Sequence, residues 1–239
     1  MKVVLLGHVD NIEKIVAACS KATKRKEAAD VIVDELSEES ARKHIGQVLS
    51  MGHEGITEFA FFIFSVSGVS RVLTHQLVRH RIASYLQMSS RGKRDISEEG
   101  FIVPPQIKKN AKNAQIYEES ISVSTEKYRE LVARGVPHED ARYLLPDSLQ
   151  THIAVAMNAR SLNHLFGLRL CDRAQWEIRI LADRMRKIVK PISPSLFWCE
   201  PRPCVVRGFC PEETQSCGFW KTGDFVKERD KYRKGYPHE

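Results

Sequence analysis

Arg79-His80-Arg81-Ile82-Ala83-Ser84-Tyr85-Leu86-Gln87-Met88-Ser89-Ser90-Arg91 decides how the rest of the chain is read. Three basic side chains stand together, a seven-residue spacer follows, and two hydroxyls and a further arginine close the stretch. Guanidinium forks and hydroxyl donors suit a phosphate or a planar anion, because arginine presents several N–H groups in a fixed geometry. Ile82, Tyr85, Leu86 and Met88 lie between the charges, so packed structure holds the stretch, unlike a solvated basic tail. Clustered arginine ordinarily means a solvated face. The ordered spacing of Arg-His-Arg, serine and arginine weighs against that here.

Around this stretch, 239 residues with 42% hydrophobic and 28% charged composition describe a soluble globular chain: one domain, or one domain with an appendage. The longest apolar run, residues 59–64, is too short to span a membrane. Residues 1–7 are too short for a signal peptide and read as a first strand, so the cytoplasm is the expected location. A formal charge of +7 favours anionic partners. Without a basic repeat, zinc-finger spacing or RNA-binding aromatic motif, it does not point to nucleic acid.

Six cysteines are present. Cys19 and Cys171 stand alone, and Cys171 reads as a small buried residue without a partner. Cys199, Cys204, Cys210 and Cys217 gather near the end. In a cytoplasmic chain such a group suggests metal or free thiols before disulfides. Because the Cys-x2-Cys spacing of strong zinc sites is absent, zinc and free thiols both stay open.

Hydrophobic periodicity predicts mixed elements. Residues 2–8 read as a strand, and Asp10 as the cap of a helix to Ala18. A helix over 37–51 stops at Gly52. Residues 58–66 read as a buried strand broken by Gly68, with Ser70 capping the next helix. Residues 91–100 read as a mobile loop, and 101–103 as a short strand. A long helix over 109–134 precedes a short one beginning at Pro137. The alternating stretch 149–157 is a half-buried strand, and Asn158 caps a helix ended by Gly167. Asp172 is expected to cap a last long helix, stopped by Pro191. The fold class is α+β, a mixed sheet with long helices. Without βαβ alternation or a glycine-rich dinucleotide loop it is not a Rossmann fold. The expected division is a catalytic domain over 1–193 and a cysteine-containing extension over 194–239, whose charged end from 221 reads as disordered.

Arg79, His80, Arg81 and Ser89 match the Arg-His-Arg-x7-Ser signature of the flavin-dependent thymidylate synthases, which the chain resembles. Ser84, Tyr85 and Arg91 match the wider form of that signature. A second block runs from Asn158-Ala159-Arg160-Ser161-Leu162 through Leu168-Arg169 to Ala174-Gln175-Trp176-Glu177-Ile178. A third is Gly135-Val136-Pro137 with Ala141-Arg142 and Leu145-Pro146; a fourth is His53-Glu54 with Glu58. The four blocks stand in order across residues 37–190.

The resemblance implies methylation of dUMP to dTMP, with 5,10-methylenetetrahydrofolate as carbon donor, FAD as cofactor and NADPH as reductant. It also implies a homotetramer with active sites shared between subunits. In that frame His53, Glu58, Arg79, His80, Arg81, Ile82, Gln87, Asn158, Arg160 and His164 contact FAD. Gln76, Arg79, Gln87, Met88, Ser89, Ser90, Arg91, Arg142 and Arg169 hold dUMP, with Ser89, Ser90, Arg91 and Arg142 cradling the phosphate. Arg169 is the implied catalytic residue: a fixed guanidinium beside the ionising uracil stabilises the developing anion where water is excluded. Ser89 could be read as a nucleophile, but that needs an adjacent base, which the sequence does not show.

The chain departs from the family pattern at Gly55, Thr57, Leu86, Gly92, His164 and Arg173, which leaves the arginines intact. Two rivals were weighed. A histidine phosphatase needs Arg-His-Gly near a first strand, and Arg81 occupies the glycine position far into the chain. A basic nucleic-acid-binding module would show steeply salt-dependent affinity and no flavin.

Overall fold

Residues 2–8 alternate in exposure along their length, as a strand covered on one face must. This is β1 (Lys2–His8), the first element of a computed structural model that describes residues 1–89, 91, 96, 100–198 and 202–234. Helices α1 (Ile12–Ala22), α2 (Ala29–Glu35) and α3 (Glu38–Ser50) follow. Ser37 caps α3 by accepting from the Ser40 N–H, and Gly52 takes the left-handed conformation just beyond its end. A 3-10 turn (Glu54–Phe59) leads into β2 (Phe61–Ser70).

Next come α4 (Arg71–Leu77), β3 (Ser84–Gln87), α5 (Pro105–Lys108), the long α6 (Ala111–Ala133) and α7 (His138–Ala141). Then follow β4 (Gln150–Asn158), α8 (Ala159–Arg169), α9 (Trp176–Ile192), α10 (Pro203–Arg207) and α11 (Gly223–Lys234). The strands form one four-stranded sheet in the order β1-β2-β4-β3, so the class is α+β as expected.

The chain divides into two compact units, and β2 and β4 each pass through both. The first contains 1–2, 65–79 and 85–154; the second contains 3–64, 80–84 and 155–239. In the first, Phe101, Ile121, Tyr128, Ala141 and Leu149 bury a core beneath α6. In the second, Phe62 and Phe166 both pack edge-on against Phe197, with ring centroids 5.6 and 6.0 Å away.

A buried carboxylate organises the second unit. Glu13 on α1 is 6% exposed. It accepts from Arg42 Nε of α3 at 2.7 Å and from the backbone N–H of Ser195, just beyond α9, at 2.8 Å. One side chain thereby joins three parts of the chain that are distant in sequence.

Several expectations need correction. β2 is not buried on both faces: Phe62 and Phe64 are buried, but Phe61 and Ile63 are exposed. Gly68 does not break β2; it adopts φ +66° within it, where an added Cβ would sit 3.1 Å from the Met1 nitrogen. Asn11, not Asp10, precedes α1, which extends to Ala22. Gly167 lies inside α8, which runs on to Arg169. Gln175, not Asp172, caps α9 by accepting from Glu177 and Ile178 N–H groups. Phe101 forms only an isolated bridge to Leu149. Residues 221–234, expected to be disordered, include α11. Most of the expected loop over 91–100 lies outside the described residues.

Candidate active site

α8 begins where β4 ends. Asn158 turns the chain by accepting the Ser161 N–H on its side-chain oxygen at 2.9 Å, which satisfies an end-of-helix donor. Arg160 therefore stands on the first turn of α8, where it pairs with Glu58 of the preceding 3-10 turn. His53 lies at the start of that turn and is exposed. At the other end of α8, Arg169 Nε donates to His80 Nε2 at 3.1 Å. His164, nearly a turn and a half earlier on α8, meets the His80 ring edge-on at 5.7 Å. Arg81 and Ile82 follow His80 and are exposed.

His80 is 7% exposed, and its pKa is lowered to about 4, first by burial and then by the charges of Arg169 and His164. The ring is therefore neutral at physiological pH. Because Nε2 accepts from Arg169, the ring proton sits on Nδ1. A neutral imidazole thus orients a guanidinium without neutralising it. The guanidinium is thereby held at the end of α8.

The other expected site residues belong to the first unit. Gln76 is half-buried on α4, and exposed Arg79 lies just past the end of that helix. Gln87, at the end of β3, donates from Nε2 to Thr74 Oγ1 at 3.0 Å. Met88 N–H bonds to the His152 carbonyl at 3.0 Å, fixing the chain where Ser89 begins. Ser89 Oγ accepts the Arg91 N–H at 3.1 Å. The Arg91 guanidinium grips one carboxylate oxygen of Glu139 through Nε and Nη2, at 3.0 and 2.7 Å. Arg142 Nε donates to the backbone carbonyl of the same Glu139 at 2.9 Å. Ser90 lies outside the described residues.

Three features went unread in the sequence. Glu139 couples Arg91 to Arg142, and a carboxylate on a short helix gives no warning that an arginine distant in sequence will reach it. Tyr85 donates its hydroxyl to the Leu77 carbonyl at 2.9 Å, and burial raises its pKa to about 12, which makes it a brace and not an acid. Arg71 Nη1 is buried without a hydrogen-bond partner among the described residues, an unspent donor at the start of α4. Of the terminal cysteines, Cys199 lies outside the described residues. Cys171, read as partnerless, has Cys204 and Cys217 within electrostatic range.

The residues of the first unit offer cations and donors for an anionic nucleotide, and those of the second a half-buried guanidinium for a developing anion. Its fold is that of a UMP/dUMP methylase from Streptomyces cacaoi, solved bound with 5-Br dUMP: TM-score 0.73, 22% identity, covering 82% of this chain and 93% of that one. Sequence comparison then goes further than fold. The model of the family described as thymidylate synthase complementing protein matches residues 4–195. The flavin-dependent thymidylate synthase of Geobacter sulfurreducens is 41% identical over 220 residues, 91% of this chain and 94% of that protein. That of Pyrococcus furiosus is 42% identical over 208 residues, 84% of each. That of Pyrococcus horikoshii is 46% identical over 187 residues, 75% of this chain and 76% of that one. The chain belongs to the flavin-dependent thymidylate synthase family.

Proposed function

We propose that the protein methylates C5 of dUMP to give dTMP, using 5,10-methylenetetrahydrofolate as carbon donor and NADPH as reductant through bound FAD. The methylene carbon passes from the folate to C5. NADPH and a proton supply the two hydrogens that balance dTMP and tetrahydrofolate. The observation that carries this reading is the Arg169 guanidinium held by a buried, neutral His80. In this reading that charge favours loss of the uracil N3 proton and so raises electron density at C5.

The residues fit a flavin dinucleotide. In this reading Arg160, on the N-terminal turn of α8, offers its guanidinium to the pyrophosphate, and His53 and Arg81 offer further donors to the cofactor. Exposed Ile82 offers an apolar contact for a ring. When bound, FAD supplies hydride transfer from NADPH. In this reading Gln76, Arg79, Gln87 and Met88 orient the nucleotide. Ser89, Ser90, Arg91 and Arg142 take its phosphate, which replaces the Glu139 carboxylate on Arg91.

Exposed Val4 and Leu6 on β1 and Phe61 and Ile63 on β2 support assembly with further copies, as a homotetramer. Among the described residues no helix is long and apolar enough to cross a membrane. The proposed place of action is the cytoplasm, and neither membrane nor nucleic acid is a proposed partner. Residues 1–193 are read as the catalytic domain and 194–239 as an appended extension.

The visible spectrum of the purified protein tests the cofactor. A flavin band that NADPH bleaches without oxygen, faster with dUMP present, is the expected result. A protein that stays colourless after loading with FAD and removal of the excess would overturn the proposal.

A further inference from the structure

Glu139 occupies Arg91 as a phosphate would. Nε and Nη2 of Arg91 both donate to one carboxylate oxygen, Oε2, at 3.0 and 2.7 Å. A guanidinium fork converging on an oxyanion is the geometry that arginine offers carboxylate and phosphate alike. The same residue engages a second arginine by its backbone, where Arg142 Nε donates to the Glu139 carbonyl at 2.9 Å. The carboxylate therefore stands among the groups that the proposed function gives to the nucleotide's phosphate. Both partners of the ion pair are exposed, with relative side-chain exposures of 69% for Arg91 and 47% for Glu139. Such a pair is weak and screened by salt, so an incoming phosphate can displace it.

Displacement does not carry Glu139 away. Its neighbour His138 is tied through Nδ1 to the Tyr128 hydroxyl at 2.8 Å, and Tyr128 is 4% exposed on α6. Ala141 is buried in the same core as Tyr128. The four-residue α7 is thus pinned at His138 and at Ala141, with Glu139 between them. Its backbone stays in place and only the side chain swings, which keeps the carboxylate beside the arginines once phosphate is bound. All these residues belong to the first unit.

We propose that Glu139 is a specificity residue: its carboxylate holds the phosphate's place on Arg91 before the nucleotide arrives, and then selects a nucleoside monophosphate against the di- and triphosphate. The inference rests on the proposed function, because it takes Arg91 and Arg142 as ligands of the phosphate. Each further phosphate brings more negative charge toward the retained carboxylate, and the repulsion rises with that charge. Specificity of this kind comes from a repulsive element and needs no added contact with dUMP. It also weakens dUMP binding itself, which is how it differs from a merely structural ion pair.

Calorimetric titration of the full chain loaded with FAD tests this, with deoxyuridine, dUMP and dUDP as ligands for the wild-type protein and Glu139→Gln. The amide keeps the size of the side chain and leaves the backbone carbonyl in place for Arg142, so the variant should fold and keep that contact. dUMP should bind the variant about two- to five-fold more tightly, the worth of the exposed ion pair that no longer has to be broken. dUDP should gain more than dUMP, and deoxyuridine, which has no phosphate, should gain nothing. Raising the salt concentration should shrink both gains. Wild-type protein that binds no dUMP would overturn the functional reading and this inference with it. If the wild-type protein binds dUMP, the inference alone is overturned when Glu139→Gln binds dUMP no more tightly, when dUDP gains no more than dUMP, or when deoxyuridine gains as much.

Discussion

At the scale of single residues, the proposed function rests on one guanidinium and the imidazole bonded to it. Replacing Arg169 by alanine removes a fixed charge from a half-buried place. Steady-state assays should show kcat for dTMP formation falling about 10²–10³-fold, the loss typical of one preorganised electrostatic donor, with a smaller change in KM for dUMP. A lysine there should restore only part of the rate, since it lacks the planar fork. Equal losses in kcat and in binding of all ligands would contradict the assigned role. His80 makes stability depend on pH. Its folded pKa of about 4 lies below the ordinary imidazole value of 6.5, so between these limits the unfolded chain binds more protons than the folded one. Stability should therefore be complete above pH 6.5 and fall as pH drops toward 4, by up to about 3 kcal/mol. Urea titrations at the two ends of that window, in the wild-type protein and His80→Asn, check this. An equal slope in both would assign the effect to other groups.

At the scale of elements, caps and buried ties decide where helices start and how they are held. Asn158→Ala should cost about 1 kcal/mol by unmaking the α8 cap, while Asn158→Asp should be nearly neutral, measured by chemical denaturation. Glu13→Ala should cost more, about 1–3 kcal/mol, because the buried Ser195 N–H loses its acceptor and the tie joining α1, α3 and the end of α9 is cut, while Arg42 stays partly solvated. A loss below about 1 kcal/mol would mean that water replaces the carboxylate there.

The same elements show what the sequence could disclose. Local chemistry was legible: Ser37, Ser70 and Asn158 cap the helices they precede, and the alternation over 149–157 became β4 with Ile153, Val155 and Met157 buried. What failed depended on distant partners. The apolar run over residues 58–66 looks like a buried strand, but among the described residues Phe61 and Ile63 stay exposed. Gln175 outcompetes Asp172 as the α9 cap, and the Asp172 carboxylate instead pairs with Arg179 at 2.8 Å. The arginines could be named from the motif, but Glu139 as their link could not, because 48 residues separate it from Arg91.

At the scale of the whole molecule, the chain's net charge of +7 favours anionic partners. Its exposed apolar strand face points to assembly with further copies. Sedimentation of the wild-type protein should show a tetramer, and Phe61→Glu with Ile63→Glu should shift it to smaller species; an unchanged tetramer would place the interface elsewhere. The most direct test of the central claim is product analysis. The full chain is incubated with dUMP, 5,10-methylenetetrahydrofolate, FAD and NADPH, and the nucleotides are separated. Formation of dTMP that requires all four additions and disappears in Arg169→Ala is the predicted result. Recovery of unchanged dUMP from a folded, flavin-loaded protein would contradict it.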